Sequence, residues 1–382
     1  MKTVVLGAYQ TKFGELWDKG LDDLLLEAVQ GAIEDAGIDK RKIEIIYIGN
    51  KLAGKLLDQN HLSALLGESL GIKTPSVRVE AACASGGMAV AQGCLAVNSG
   101  QFQTALAVGV EKMTDLSTEE ISSALMTAAG QDEQANGLSF VGLYALLANK
   151  YLDKYQAKEE DLAFPAIKNH FHASLNKKAQ FPFSLTLDQV VDSPIIARPL
   201  KLLHCSPISD GAAAVVLASK EFAKSKERKS VYITASVQRT GSLSLAKRDN
   251  LTEIEASSSA SQAAYQLAGV SPEDLSLLEV HDCFSIAEIV ALEDLGICQR
   301  GEAYYLERNG EVKLGGRRPV NVSGGLKACG HPVGATGVKQ VVEVYNQLKG
   351  RAGERQVKEA KVGLTHNVGG IGGTAVIHIL QK

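Results

Sequence analysis

The apolar positions of the chain fall into two alternating patterns. Thr3-Val-Val-Leu-Gly is a short continuous apolar run, as in a buried strand. From Leu21 to Ala36 the apolar residues Leu24, Leu25, Ala28, Val29 and Ile33 recur at helical spacing, and Gly37 follows as a stop. Ile43 to Ile48 reads as a second strand. The same order returns late in the chain: a strand from Val231, a helix over Ala256 to Ala268 stopped by Gly269, and a strand from Leu275 to Val280. Ala36-Gly37-Ile38 aligns with Ala268-Gly269-Val270, and thirteen residues beyond each alanine the next strand ends, at Gly49 and at His281.

The correspondence continues. Ser76 to Val79 leads through a small-residue turn into a helix and then the strand Thr104 to Val108. Pro319 to Val322 leads through a Gly-rich turn into the helix Gly337 to Leu348 and then the strand Lys361 to Leu364. Each half closes on a small-residue loop and an apolar strand, from Asp210 and from Gly372. Strands alternating with helices predict an α/β fold with mainly parallel sheets. Two similar halves predict pseudo-twofold packing, with a site where equivalent turns meet. Between them, from Thr114 to Leu203, the pattern breaks down. A long insertion in an α/β protein is more often functional than idle; this one either covers a substrate or elaborates the surface. The expected domains are residues 1–113 with 204–225, the insertion 114–203, and residues 226–382.

Composition narrows the function. Of 382 residues, 45% are apolar and 22% charged, so disorder is excluded. A net charge of −3 without a long basic run argues against a nucleic-acid surface. No apolar stretch approaches the ~18 residues of a membrane span. The apolar run after Met1 is too short for a signal peptide, and the last residues do not form a Ser-Lys-Leu peroxisomal address. Without an export signal the six cysteines are expected as thiols in a reduced cytoplasmic protein. Of 37 glycines, 14 lie between Gly315 and Gly373, so the glycine excess belongs to one region.

Four turns carry candidate chemistry. Glu80-Ala-Ala-Cys83-Ala-Ser-Gly-Gly places a thiol where a strand passes into a helix. A helix start lowers a thiol's pKa and offers free N–H donors to an anion, as a nucleophile and an oxyanion need. A small buried thiol filling a core gap is the equal alternative. His281-Asp-Cys283-Phe sits at a strand end, where both side chains can face one cavity; a core histidine is the plainer reading. Gly324-Gly-Leu-Lys-Ala-Cys329-Gly-His331-Pro-Val-Gly-Ala-Thr-Gly337 surrounds one histidine with a rigid turn that leaves room for a ligand. Thr365-His366-Asn367-Val-Gly369-Gly-Ile-Gly-Gly follows a strand and lines a pocket better than it binds a dinucleotide, because a β-branched strand follows it instead of a helix. No spacing fits a metal site: Cys-x-x-Cys is absent and His170-x-His172 lacks partner cysteines.

Together these residues resemble the thiolase superfamily across nearly the whole chain. The resemblance rests on Cys83-Ala-Ser-Gly-Gly, on Asn321-Val-Ser-Gly-Gly through Gly330-His-Pro-Val-Gly-Ala-Thr-Gly337, and on the repeated halves. His281-Asp-Cys283-Phe, where ordinary thiolases carry Asn-Glu-Ala-Phe, is similar to the sterol-carrier-protein-X thiolases and archaeal-type acetoacetyl-CoA thiolases. No fused sterol-carrier domain is expected after Lys382. The resemblance implies a five-layered αβαβα fold, a coenzyme A-binding insertion, a homodimer or tetramer, and acyl-CoA and coenzyme A as substrates with no permanently bound cofactor. By analogy Cys83 holds the acyl group, His331 accepts its proton, and Cys283 is the acid/base at the α-carbon. His281 helps bind the thioester oxygen, and the N–H groups of Cys83 and Gly369 form the other oxyanion hole.

One departure is plain: His366-Asn367-Val-Gly369 stands where ordinary thiolases carry a Cys-x-Gly acid/base, and Cys283 replaces it. His366 and Asn367 are expected in the pocket, Cys329 as structural, and the basic stretch Lys168 to Lys178 against coenzyme A. Two rival readings are a ketoacyl synthase on the same fold and a subunit channelling acetoacetyl-CoA to a hydroxymethylglutaryl-CoA synthase. The thiol at Cys283 disfavours the first.

Overall fold

A computed structural model describes residues 3–224 and 230–382. The expected boundary between the halves, at residues 225 and 226, lies outside the described residues. Eleven strands occur among the described residues: β1 (Thr3–Gln10), β2 (Ile45–Gly49), β3 (Ser76–Val79), β4 (Thr104–Glu111), β5 (Ile195–Ala197), β6 (Leu200–Lys201), β7 (Gly211–Ala218), β8 (Val231–Thr240), β9 (Leu277–Glu279), β10 (Val362–Gly369) and β11 (Thr374–Gln381). Strands β5 and β6 form a separate hairpin, and the other nine form one sheet in the order β3-β2-β4-β7-β1-β8-β11-β10-β9.

That order is a palindrome. In the first half β2 runs parallel to β3 and β4, while β7 is antiparallel to β4 and β1. In the second half β9 runs parallel to β10, while β11 is antiparallel to β10 and β8. A short antiparallel pairing of Thr3–Val5 with Val231–Ile233 joins the halves. The counterpart of β3 is shorter than the sequence pattern predicts: Pro319 to Val322 reduces to one bridge, Val320 to Leu278. Asn321 turns the chain there with φ at 54°, and its side-chain oxygen accepts the Val280 N–H at 2.8 Å.

Period-two alternation explains the layers. Val4, Leu6, Ile46, Ile48, Leu106 and Val108 point to one face of the first half and bury the helix Leu21–Ala36. Val5, Ala8, Ile45, Ala105 and Ala107 point to the other, where they meet the helices Ser85–Asn98 and Thr336–Lys349. The same cluster takes in Ile233, Leu277 and Leu380 from the second half. Ala235, Val237, Leu364, Ile377 and Ile379 face outward, onto the helices Glu255–Ala268 and Ser285–Asp294. The two halves of this one sheet thus act as two layers, and the order runs helix, half-sheet, helix, half-sheet, helix.

The insertion, whose sequence shows little periodicity, folds largely as helices: Thr118–Met126, Gln131–Ala135, Phe140–Tyr155, Ala163–Ser174 and Leu187–Val191. Short amphipathic helices held by local caps explain the weak pattern. Ser117 with Glu120, and Thr186 with Gln189, close capping boxes at two of their starts. The insertion is pinned where it leaves the sheet. Buried Asp210 accepts the N–H groups of Met113 and Thr114, the Thr114 hydroxyl and the Lys112 ammonium. Among the described residues, no helix is long and apolar enough to cross a membrane.

Candidate active site

The two central helices begin beside each other because their first turns lack side chains. A Cβ on Gly86 would come within 2.5 Å of the Gly334 oxygen, and one on Gly337 within 2.2 Å of the Gly87 nitrogen. Equivalent turns of the two halves thus converge at the helix starts. Just before the first of them the chain takes a sharp turn at Ala82, whose φ of 53° lies in the left-handed region. For a residue with a Cβ that conformation costs roughly 1–2 kcal/mol. Ser85 holds the turn, its hydroxyl donating to the Ala82 carbonyl and accepting the Ala81 N–H. Cys83 emerges half-buried at the wall of a cavity.

His281 and His331 come to meet it. The Cys83 sulfur and one ring nitrogen of each histidine all lie within 4.8 Å of one another. Hydrogen bonds fix both tautomers. Thr336 Oγ1 donates to the Pro332 carbonyl at 3.1 Å, so it accepts from His331 Nδ1 at 2.7 Å. His331 therefore keeps a lone pair on Nε2. Asn367 is oriented by the Gly87 N–H, which donates to its Oδ1 at 3.1 Å. Its Nδ2 donates to the Cys83 carbonyl at 3.0 Å and to His281 Nδ1 at 3.3 Å. His281 therefore carries its proton on Nε2. These three side chains are the one grouping among the described residues with atoms placed to converge on a metal ion. A proton on His281 Nε2 leaves that atom without a lone pair to ligate with.

Cys283 lines the same cavity, which has a volume of about 450 Å³. Its walls are mostly apolar, and much of them comes from the insertion: Ile121, Leu125, Phe140, Tyr144, Phe181 and Ile196. Tyr144 is a site residue that the sequence pattern did not reveal. It lies on a helix of the insertion, with no motif around it. Its ring packs on Phe284, centroids 4.7 Å apart, and its hydroxyl faces the Gly370 carbonyl at 3.4 Å. The same hydroxyl and the Cys283 thiol border one cavity, and each shifts the other's proton affinity.

Burial governs the charge states. It raises the Cys83 thiol above its ordinary value, while the nearby Lys51 charge and the Gly370 N–H pull the other way. The sequence suggests a thiol lowered by a helix start; here desolvation outweighs it. Burial also pushes His331 down to about 3, helped by the Lys339 charge, and lowers His281 well below its usual range. Cys283 is raised well above a free thiol, again by burial, with the Tyr144 hydrogen bond opposing. The resting site is therefore neutral. Lys51 is a second residue with no sequence signal. Its ammonium donates to the Leu125 carbonyl at 3.0 Å, and its backbone N–H donates to buried Glu111. Burial raises Glu111 to about 7.

Several expected positions fall elsewhere. His366 does not line the cavity: alternation along β10 turns it opposite to Asn367, and its Nε2 pairs with Ser257 at 2.8 Å. Gly369 packs against the nucleophile turn, where a Cβ would meet the Ala81 oxygen at 2.4 Å. Gly370, one residue later, lines the cavity, and its N–H lowers the Cys83 thiol. Cys329, expected to be structural, is fully buried with Phe13, Ala173 and Ala179, away from the cavity. Lys168 is not a surface cation. It is buried, paired with Glu288 at 2.5 Å, and donates to the Val320 carbonyl. Lys178 donates to the Gln10 carbonyl and lies over the Tyr9 ring, which leaves Lys177 as the exposed lysine of that stretch.

Comparison with known proteins agrees with this architecture. Residues 3–221 match the family model for the thiolase N-terminal domain, and residues 238–382 match the one described as thiolase C-terminal domain-like. An acetyl-CoA acetyltransferase of Methanothermobacter thermautotrophicus is 47% identical over 380 residues, covering 99% of each chain. Among solved structures, the Ltp2-ChsH2(DUF35) aldolase superposes with a TM-score of 0.86 at 24% identity, over 100% of this chain and 97% of that one. Human mitochondrial 3-ketoacyl-CoA thiolase gives 0.77 at 19% identity, over 100% and 98%. At those identities the two structures establish the fold alone. The family matches and the full-length relative establish that this chain, with its five layers and paired turns, belongs to the thiolase family.

Proposed function

We infer that this chain is an acetyl-CoA C-acetyltransferase, which condenses two acetyl-CoA molecules to acetoacetyl-CoA and free coenzyme A and cleaves the product in reverse. The observation that carries the reading is the convergence of Cys83, His281 and His331 within 4.8 Å beside a second thiol, Cys283, in one cavity. The 47% identical acetyl-CoA acetyltransferase supports the same substrate.

His331 Nε2 takes the Cys83 proton as the sulfur attacks the thioester carbonyl. The N–H groups of Cys83 and Gly370 hold the developing oxyanion, and the imidazolium returns its proton to the departing coenzyme A sulfur. Cys83 now carries the acetyl group. A second acetyl-CoA enters with its carbonyl oxygen at His281 Nε2–H. Cys283 first passes its own proton to the neutral His331 Nε2; as thiolate it then removes a proton from the methyl carbon, and the carbanion attacks the acetyl-Cys83 carbonyl. The new carbon–carbon bond expels the Cys83 thiolate, which takes the proton held on His331, while Cys283 keeps the proton from the methyl carbon and the site is neutral again. A ketoacyl synthase would have no use for a thiol at Cys283, so the thiolase reading is preferred.

The insertion takes the coenzyme A. Pantetheine would run between its apolar walls, while adenine and phosphates rest on its polar outer face, with Lys177 available to them. Homo-oligomerisation is proposed from β3, an edge strand whose Val77 is 50% exposed. A cytoplasmic setting and an active partnership with a hydroxymethylglutaryl-CoA synthase belong to the same proposal. Copurification on a sizing column tests the partnership. The activity is tested by mixing purified protein with acetoacetyl-CoA and coenzyme A and following the enolate absorbance. Its loss, with matching formation of acetyl-CoA, is expected, and a stable absorbance would refute the reading.

A further inference from the structure

We propose that Tyr144 is a positioning residue that sets the basicity of Cys283 by moving one phenol proton between the Gly370 carbonyl and the Cys283 sulfur. The inference rests on the reading of Cys283 as acid/base. The ring cannot wander. Tyr144 is 1% exposed, its ring packs at a tilt of 37° on Phe284, the residue next to Cys283, and its helix is capped by Ser139, which accepts the Gly142 N–H. Only the O–H bond is free to rotate. At 3.4 Å its contact with the Gly370 oxygen is long, a weak hold on the proton. The second acceptor, the Cys283 sulfur, borders the same cavity.

The phenol stays protonated, because burial and the neighbouring thiol raise it well above its ordinary value. It is therefore always a donor. When Cys283 is a thiol, the hydroxyl faces Gly370. When Cys283 becomes a thiolate, the hydroxyl turns to it and supplies a charge-assisted hydrogen bond in an otherwise apolar wall. The other ionisable groups bearing on this thiol, Cys83 across the cavity and buried Asp282 beside it, both raise it. The Arg248 charge lowers the phenol, and its guanidinium donates to the Ile371 carbonyl of the same glycine loop. Tyr144 is thus the side chain that makes a Cys283 thiolate attainable.

Tyr144→Phe keeps the ring and removes the proton. Three readouts on the full-length enzyme are compared: acetylation of Cys83 by acetyl-CoA, deuterium washout from the methyl of acetyl-CoA, and the pH profile of condensation. Acetylation should stay within about threefold of wild type. Washout and condensation should fall about 10- to 100-fold, the worth of a hydrogen bond to a charged group. The limb of the pH profile that reports Cys283 deprotonation should move up by about one unit. Unchanged washout and profile would overturn the proposal, as would an equal fall in acetylation and washout, which would place the effect on the Gly370 loop. Cys283→Ala run in parallel separates the two ideas. Wild-type washout in Cys283→Ala sinks the acid/base reading itself, whereas loss there with normal washout in Tyr144→Phe sinks only the role of Tyr144.

Discussion

His281 and His331 stand edge to face, ring centroids 5.1 Å apart with planes at 83°, and carry their protons on opposite nitrogens. One ring offers the site a lone pair and the other a proton. The division of labour is set behind the rings, by Thr336 for His331 and by Asn367 for His281. Both supporting residues touch ring nitrogens that face away from the reacting groups, the usual way proteins choose an imidazole tautomer.

Thr336→Val preserves shape and removes the acceptor for His331 Nδ1–H. Without it the imidazolium formed during acylation loses a hydrogen bond. Acetylation of Cys83 should slow about 10-fold, in keeping with ~1–1.5 kcal/mol for one such bond. Stopped-flow release of coenzyme A from acetyl-CoA checks this. An unchanged rate would mean that His331 is held by packing alone.

Asn367→Asp is close to isosteric but can no longer donate to the Cys83 carbonyl or to His281 Nδ1. His281 would then put its proton on Nδ1, toward the new carboxylate, and present a lone pair to the substrate oxygen. Condensation should fall about 10²–10³-fold, the cost of losing an oxyanion donor. Alkylation of Cys83 by iodoacetamide should fall far less. Equal losses in both assays would show that Asn367 mainly supports the nucleophile turn.

The charge states predict a pH dependence with a definite sign. Burial raises the Cys83 thiol, and His331, at about 3, is neutral across pH 5–9. The free enzyme therefore holds little thiolate at neutral pH, and its fraction grows as pH rises toward the elevated pKa. Iodoacetamide labelling of Cys83 should climb through pH 9 without levelling off near neutrality. A plateau by pH 6–7 would reveal a standing thiolate–imidazolium pair.

Much of the fold was legible because it depends on local pattern. The helix Leu21–Ala36 and its Gly37 stop, with φ at 63°, follow from spacing alone, as does Gly269 in the second half. Cys83, His281, Cys283, His331 and Asn367 stand out because small-residue turns leave a signature. Tyr144 and Lys51 do not, since one sits in an ordinary helix and the other in a bend after β2, and both reach the site through tertiary packing. Residue alternation at the end of β10 separates His366 from its neighbour Asn367, and no motif reveals which of two adjacent side chains reaches His281 and the Cys83 turn. Lys168 misleads for a similar reason: a lysine on a polar helix looks solvated until Glu288 arrives from a distant segment.

Lys168→Met tests that last correction. The substitution would leave Glu288, and Glu307 4.0 Å from the ammonium, without their buried cation. Breaking a buried pair from one side costs about 3–5 kcal/mol, so the melting temperature should drop by several degrees or more. The KM for coenzyme A in the folded fraction should stay within twofold. A raised KM with normal stability would return Lys168 to the nucleotide.

The central claim is that two thiols divide the reaction, Cys83 carrying the acyl group and Cys283 moving the α-proton. The most direct measurement is made on Cys283→Ala: peptide mapping by mass spectrometry after acetyl-CoA treatment, beside the rate of acetoacetyl-CoA synthesis and cleavage. The variant should acetylate on Cys83 as wild type does, yet turn over about 10²–10⁴-fold more slowly, the usual worth of general acid–base catalysis. Near-wild-type turnover, or wild-type protein that carries its acetyl group on Cys283 instead of Cys83, would contradict the account.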